Sequence, residues 1–337
     1  MKRAGERHPA LRIAVVGAGM AGLTAARSLA DRGYDVVVVE KARGPGGRMS
    51  TRRQGEYRFD HGAQYFTARD PRFLRQVLAW RGRGLVADWE PRIAVVGDRG
   101  QNGETLETRR FIAVPGMNSI CREMAEQQAD CRFGWTVQAL ERIDSGWALH
   151  SDTGETLEAN FLLCTTPPEQ AKSLLADPDV DRLLSGIEML PCWSLMAVLD
   201  RPLLAESDAA FINHGPLSWI ASQSARPGRP KAHAWVLHAS PDWSLEHLDR
   251  SAEDIAGLLL EAAGSLPSAR KFKVKSAIAH RWRYALARQP LDIGMLWVGS
   301  KNLVLAGDWC HGSRVEGAFL SGLEAAGRIM EPRPECG

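Results

Sequence analysis

Arg12-Ile13-Ala14-Val15-Val16-Gly17-Ala18-Gly19-Met20-Ala21-Gly22 decides the fold. An apolar strand runs straight into G-x-G-x-x-G. Behind it Leu23, Ala26, Leu29 and Ala30 share one helical face, predicting a helix over 20–32. Residues 35–40 then carry four consecutive valines, the pattern of a parallel strand buried on both faces. In such a strand–helix–strand unit Gly17 permits the tight turn, Gly19 lets the backbone approach a pyrophosphate, and Gly22 lets helix pack on strand. The N–H groups around Ala18, Met20 and Ala21, with the positive end of the helix dipole, attract the anion. Glu40 ends the second strand, where a carboxylate meets the hydroxyls of an adenosine ribose and repels a 2′-phosphate.

Working outward, 337 residues suggest about two domains. A chain 45% hydrophobic and 24% charged has ample material for a core. Lys+Arg 42 against Asp+Glu 40 gives a charge of only +2, which supports neither a nucleic-acid partner nor an acidic membrane. The six cysteines, Cys121, Cys131, Cys164, Cys192, Cys310 and Cys336, form no C-x-x-C pair. Zinc ribbons, redox pairs and a disulfide scaffold are therefore not expected, nor is a metal site, and scattered thiols fit a reducing cytoplasm. The apolar run over 11–30 is broken by Arg27 and does not read as a signal peptide. No uncharged stretch is long enough to span a bilayer. Residues 1–10 read as a frayed tail.

The last strand–helix signal sits at the other end: a strand over 303–306, then a helix over 317–330 stopped by Pro332 and Pro334. Residues 56–110 are Arg-rich and irregular, with a helix over 71–80. Arg69, Arg72, Arg75, Arg81 and Arg83 read as a solvated face. A helix over 118–128 and strands over 132–140, 147–151 and 161–165 follow. Alternating runs over 193–200, 218–222 and 232–239 suit an antiparallel sheet, with a helix over 252–263. The simplest assembly is one nucleotide-binding domain built from both chain ends, with a second, sheet-based domain inserted. Residues 1–68, 110–168 and 285–337 are assigned to the first, 69–109 and 169–284 to the second.

FAD and NAD both use the first glycine loop. The stretch Glu40-Lys41-Ala42-Arg43-Gly44-Pro45-Gly46-Gly47-Arg48-Met49-Ser50-Thr51 resembles the second glycine motif of the FAD-dependent amine-oxidase superfamily, with Gly44 where many members have Arg. The resemblance places Gly47, Arg48 and Met49 against the diphosphate. The glycines allow close passage, and Arg48 supplies a charge-assisted bond. Leu303 to Asp308 and Val315-Glu316-Gly317-Ala318 also resemble that superfamily, which puts Gly307, Asp308, Glu316, Gly317 and Ala318 at the flavin. A helix start there favours the anionic reduced flavin. Val95-Val96-Gly97-Asp98-Arg99-Gly100 lacks the third glycine of a separate NAD fingerprint. By the same resemblance Val137 recognises adenine through its backbone, and Thr165 opens a loop near the cofactor.

Phe59-Asp60-His61-Gly62-Ala63-Gln64-Tyr65-Phe66-Thr67, Val114-Pro115-Gly116-Met117, Ala279-His280-Arg281-Trp282-Arg283-Tyr284 and Gly307-Asp308-Trp309 together resemble the renalase family. The resemblance implies an α/β fold: a Rossmann-like FAD-binding domain of glutathione-reductase type, with an inserted α+β substrate domain carrying an antiparallel sheet, in p-hydroxybenzoate-hydroxylase-like topology. It adds Gly62, Ala63 and Gln64 to the cofactor set. It implies a non-covalent FAD oxidase of the 2- or 6-dihydro isomers of NAD(P)H, which releases NAD(P)⁺ and passes the electrons to O₂ as H₂O₂. A dihydropyridine gives up hydride on aromatising, so the protein needs to place the ring at near-attack distance and needs no general base. Gln64, Tyr65, His238, Trp282 and Arg314 are the expected substrate-positioning residues, Gln64 for the carboxamide or the flavin edge. Trp235 and His238 face opposite sides of a regular strand, and the resemblance favours His238. The rival reading is amine oxidation. Against it stand Arg314, where amine oxidases place a cage tyrosine, and a total of only four tyrosines. A flavin-bound scaffold without activity is the reading from another class. Oligomeric state is open.

Overall fold

The computed structural model describes residues 11–97 and 109–331. The tail over 1–10, Asp98 to Gly100, Pro332, Pro334 and Cys336 lie outside the described residues. The chain forms two compact units. Among the described residues, one comprises those within Met1–Gly47, Cys121–Ile187 and Gln289–Gly337, the other those within Arg48–Ile120 and Glu188–Arg288. The helices are α1 (Met20–Ala30), α2 (Pro71–Gly82), α3 (Ser119–Glu126), α4 (Pro168–Leu175), α5 (Pro178–Leu183), α6 (Pro241–Glu246), α7 (Ala252–Gly264) and α8 (Val315–Met330).

The first unit is built on a six-stranded sheet ordered Met295–Val298, Leu303–Ala306, Phe161–Cys164, Arg12–Val16, Asp35–Glu40, Asp130–Phe133. Apart from the antiparallel edge strand Met295–Val298 the pairings are parallel. The valine run is buried because the sheet is covered on both faces. Helices α1 and α8 cross at backbone distance: a Cβ at Gly322 of α8 would lie 2.3 Å from the Ala21 carbonyl oxygen of α1. A three-stranded antiparallel sheet, Val137–Ile143, Gly146–Ser151 and Thr156–Ala159, completes the unit.

The second unit carries a six-stranded sheet ordered Val274–Ala287, Met189–Leu199, Ala234–Ala239, Leu217–Ser222, Ala209–Ile212, Ile93–Val96. It is antiparallel except for the last pair. One face packs Leu195, Trp235, Leu237 and Ala279 against Ile255 and Leu259 of α7. The other face packs Met196, Val198 and Val236 against Phe59.

Several expectations need correction. The strand expected over 132–140 is two strands, because Gly134 turns the chain at φ +66°. Helix α8 begins at Val315, so Glu316 lies in its first turn rather than before it. Helix α1 ends at Ala30. The Arg-rich region contains a hairpin, Thr51–Gln54 with Tyr57–Asp60. Phe59 of that hairpin is buried with the second unit's sheet, so residues 48–68 and 110–120 pack there rather than with the nucleotide-binding unit, whereas 169–187 pack with the first. Of the arginine cluster, Arg72 pairs with Asp70, the N-cap of α2, and Arg81 pairs with Asp88, all at the surface.

Candidate active site

In the first unit three adjacent parallel strands each lead into a helix. Arg12–Val16 leads to α1, Phe161–Cys164 to α4, and Leu303–Ala306 to α8. The three helix N-termini therefore gather at the carboxyl edge of the sheet, where open α/β sheets bind ligands. Their N-cap residues are Gly19, Pro167 and Arg314, and none makes a side-chain capping bond. Gly19, Pro167 and Arg314 have no acceptor side chain to offer, and the dipoles at these helix starts favour an anion.

The expected loop residues stand here. Gly17 has φ +109° and donates to the Val39 carbonyl at 2.8 Å. A Cβ at Gly22 would lie 2.0 Å from the Gly17 carbonyl oxygen, whereas one at Gly19 would meet nothing within 4 Å. Gly22 is therefore needed by the fold, and Gly19 leaves open space on the ligand side. Thr165 braces the turn from below, its Oγ donating to the Val16 carbonyl at 2.9 Å. This is a supporting role that the loop resemblance did not anticipate. Glu40 accepts from Ala18 N–H at 2.9 Å and Ala42 N–H at 2.8 Å. Two hydrogen bonds fix its carboxylate and leave lone pairs for ribose hydroxyls. Lys41 is exposed just beyond it. Gly46 N–H reaches the Ala18 carbonyl at 2.9 Å, drawing the second glycine motif, with Gly47, onto the first. Val137 opens its strand and is buried. Gly307 N–H donates to Ser321 Oγ of α8 at 2.9 Å. Asp308 and Glu316 are buried near the start of α8, beside Gly317 and Ala318. These features, three helix starts without a side-chain cap, a fixed carboxylate and a cradle that a Cβ at Gly19 would fill, fit a dinucleotide such as FAD.

In the second unit Arg48 donates to the Ala285 carbonyl at 3.1 Å, and its own carbonyl accepts from Ala63 N–H at 2.8 Å. Gly62 has no alternative: a Cβ there would lie 2.0 Å from the Arg48 carbonyl oxygen. Met49 is buried. Gln64, expected at the carboxamide or the flavin edge, is turned inward. Its Oε1 accepts from Arg226 at 2.8 Å and Gln223 at 3.3 Å, and its amide nitrogen donates to the Asp60 carbonyl. Both ends of that side chain are engaged. Tyr65 packs against Trp89 and Trp219 at 5.7 Å each, beneath the Arg110 guanidinium. Trp235 lies in the core with α7, on the sheet face opposite His238, as its register requires. Arg314, in the first unit, is exposed at the N-cap of α8.

His238 and Trp282 come together at His61, which lies in the Phe59–Thr67 motif and carries no expected role. The His61 carbonyl accepts from Trp282 Nε1 at 2.9 Å and from His238 Nε2 at 3.1 Å. His61, His280 and Trp282 pack mutually, with ring centroids 4.5–5.0 Å apart, His280 standing edge-on to the other two rings. Burial, then the neighbouring His280, pushes the His61 pKa down to about 4. Burial does the same to His238, also to about 4, and lowers His280. The panel is electrically neutral near pH 7. Beneath it Asp60 is wholly buried. It accepts from Arg226 at 3.1 Å, from Arg229, from Thr51 Oγ at 2.6 Å and from Met117 N–H at 3.0 Å. No local signal marks Arg226 and Arg229, which lie far along the chain from Asp60.

Among the described residues no group of His, Cys, Asp and Glu is placed to hold a metal, and no helix is long and apolar enough to cross a membrane. The pattern of NAD(P)-binding Rossmann-like domains matches residues 15–79. Phytoene desaturase (neurosporene-forming) of Rhodobacter capsulatus is 43% identical over 77 residues, covering 23% of this chain and 14% of that protein. The L-glutamate oxidase precursor of Streptomyces diastatochromogenes is 45% identical over 78 residues, covering 21% and 12%. The chain thus spans only a small share of the length of these curated relatives. A structure assigned as a protoporphyrinogen oxidase, from Exiguobacterium sp. 255-15, superposes with a TM-score of 0.74 at 14% identity, covering 95% of this chain and 99% of that one. Putrescine oxidase bound to putrescine gives 0.70 at 15% identity, covering 96% and 100%. At such identities these two matches speak for the fold. The pattern of flavin-containing amine oxidoreductases matches residues 83–330, most of the chain, and the chain therefore belongs to that family of FAD-carrying oxidoreductases.

Proposed function

We propose that this protein is a renalase-type oxidase that takes hydride from the 2- or 6-dihydro isomers of NAD(P)H, releasing NAD(P)⁺ and, with O₂, H₂O₂. FAD, bound without a covalent link, supplies the hydride acceptor and the route to O₂. The chain's own contribution is binding and orientation. The helix starts at the sheet's carboxyl edge, α1 foremost, hold the cofactor's phosphates, and Glu40 holds a ribose. The His61–His238–His280–Trp282 cluster offers uncharged aromatic rings with polar edges to a dihydropyridine ring.

The neutrality of that panel carries the reading. A donor that loses hydride by aromatising needs no base, and imidazoles with pKa values near 4 are poor ones at pH 7. The exposed guanidinium of Arg314 suits phosphate and repels an ammonium. Non-covalent binding is supported by Cys310, which is wholly buried in the first unit, its thiol pKa driven up by burial. Five free cysteines among the described residues suit a cytoplasmic setting. Amine oxidation is the second reading, favoured by the family pattern itself. A flavin-bound scaffold is the reading in which no donor works. Anaerobic mixing with each dihydro isomer, ordinary NADH and a set of amines separates the three. Bleaching of the flavin by a dihydro isomer in preference to amines is expected. Bleaching by amines alone would overturn the proposal.

A further inference from the structure

His238 stands between Trp219 and Ser194 in the cross-strand register, with His280 beyond Ser194. Its Nε2 lies 3.1 Å from the His61 carbonyl oxygen. A carbonyl only accepts, so Nε2 must carry the proton. In a neutral imidazole the other nitrogen then holds a lone pair. Among the described residues that nitrogen, Nδ1, makes no hydrogen bond and is not one of the fully buried polar atoms without a partner, and the residue is partly exposed.

The His61 carbonyl is itself immobilised. It also accepts from Trp282 Nε1 at 2.9 Å, and its chain segment is pinned on either side. Asp60 is gripped by Arg226 and Arg229, and Arg226 donates to the Gln64 carbonyl at 2.7 Å. Burial holds the ring neutral. A tautomer set by a second bond is the usual way a protein assigns the two nitrogens of a histidine different duties.

We infer that His238 is a specificity residue whose Nδ1 acts as a fixed hydrogen-bond acceptor for an N–H donor on the substrate ring, which selects a primary carboxamide. This rests on the reading of the substrate as a dihydronicotinamide. A carboxamide offers an N–H to Nδ1, whereas an acetyl group of the same shape offers none and leaves the lone pair unsatisfied. The bond positions the ring and takes no part in hydride transfer.

The test uses the flavin-loaded protein. In ¹⁵N-labelled holoprotein at pH 7, His238 should show a protonated Nε2 and an unprotonated, pyridine-like Nδ1, assigned by loss of the signals in His238→Gln. Kinetics then compare the dihydro isomer of NAD with that of its 3-acetylpyridine analogue. The wild type should prefer the carboxamide by roughly tenfold or more in kcat/KM, the scale of a lost bond to a buried polar group. His238→Gln keeps a donor for the His61 carbonyl but lacks the Nδ1 lone pair. Its preference should fall to within about twofold, mainly through KM. His238→Asn, which restores an oxygen near Nδ1, should recover part of it. A proton on Nδ1, or a preference unchanged in His238→Gln, would overturn the inference and leave the proposed reaction standing. A wild type reduced by no dihydro isomer would remove that reaction and the carboxamide assignment with it, whatever the tautomer.

Discussion

The two units treat their helix starts in opposite ways. In the second unit α2, α6 and α7 are capped by Asp70, Ser240 and Ser251, whose side chains accept from Arg72, Trp243 and Asp254 N–H. In the first unit α1, α4 and α8, which follow adjacent parallel strands, have no side-chain cap. Helix α5 shows that the difference is not a habit of that unit. It does not follow a sheet strand, and Asp177 caps it. The uncapped starts are those at the sheet's carboxyl edge. One unit caps these helix starts with its own side chains, and the other leaves the starts at the sheet edge without a side-chain cap. The contrast extends to buried charge, since the second unit neutralises Asp60 with its own arginines.

The largest expected effect tests that self-sufficiency. Asp60→Ala leaves two buried guanidinium groups facing each other with no counter-charge. Breaking such a cluster from one side costs about 3–5 kcal/mol, because the remaining charges stay out of water. Urea unfolding should show a loss of that size. A loss below about 1 kcal/mol would mean that the arginines find other partners and the cluster is not the unit's anchor.

Next comes a pair within the first unit. Gly22→Val drives a side chain into the Gly17 carbonyl and should cost about 3 kcal/mol by overpacking as well as abolish flavin retention. A Cβ at Gly19 would meet nothing within 4 Å, so Gly19→Val should cost the flavin-free protein only the loss of a tolerable N-cap, about 1 kcal/mol, while flavin content collapses. Equal destabilisation by both would break the distinction between a glycine kept for packing and one kept for ligand approach.

How far the sequence foretold this follows from the range of the forces involved. The nucleotide-binding unit was legible because its signals are local. A valine run, a glycine triplet and Glu40 lie within one strand–helix–strand segment, and each residue type has a steric or electrostatic reason to be there. The panel was half legible. The resemblance points to His238 and Trp282 but not to His61 or His280, because nothing local says that His238 and Trp282 meet at the His61 carbonyl or that His280 packs edge-on beside them. Gln64 misled for the same reason, since its partners Arg226 and Gln223 lie well over a hundred positions away. The long strand Val274–Ala287 escaped notice apart from its motif. It lies at the sheet edge, where Lys275, Arg281 and Arg283 are exposed and blur the alternation.

A smaller effect concerns pH. Free histidine titrates near 6.5, whereas His61 and His238 are held near 4 in the folded protein. Below pH 6.5 the unfolded chain therefore binds protons that the folded chain refuses. Stability is full above that value and drains away as pH falls toward 4. Linkage gives about 2 kcal/mol per imidazole between pH 7 and pH 5. His61→Asn and His238→Gln should each flatten the slope of the unfolding free energy in that window. An unchanged slope in both would show that the acid loss comes from other groups.

The smallest effects turn the comparison itself into an exchange. Ser251→Ala removes the cap of α7 and should cost about 1 kcal/mol with flavin content unchanged, because that helix start has no second duty. Gly19→Asp does the reverse. Gly19 already has the extended backbone of an N-cap, at φ −83° and ψ −177°, so an aspartate fits there without strain and can accept from the open N–H groups of α1. The flavin-free protein should gain stability, by about a few tenths of a kcal/mol. Flavin should bind more weakly, since the new carboxylate occupies the donors and repels the diphosphate that would otherwise use them. Opposite signs in the two measurements, a higher unfolding midpoint without flavin and a weaker hold on flavin, are what a reserved anion site predicts. A variant that gains stability and keeps its flavin affinity would mean that the start of α1 is open for some reason other than the cofactor.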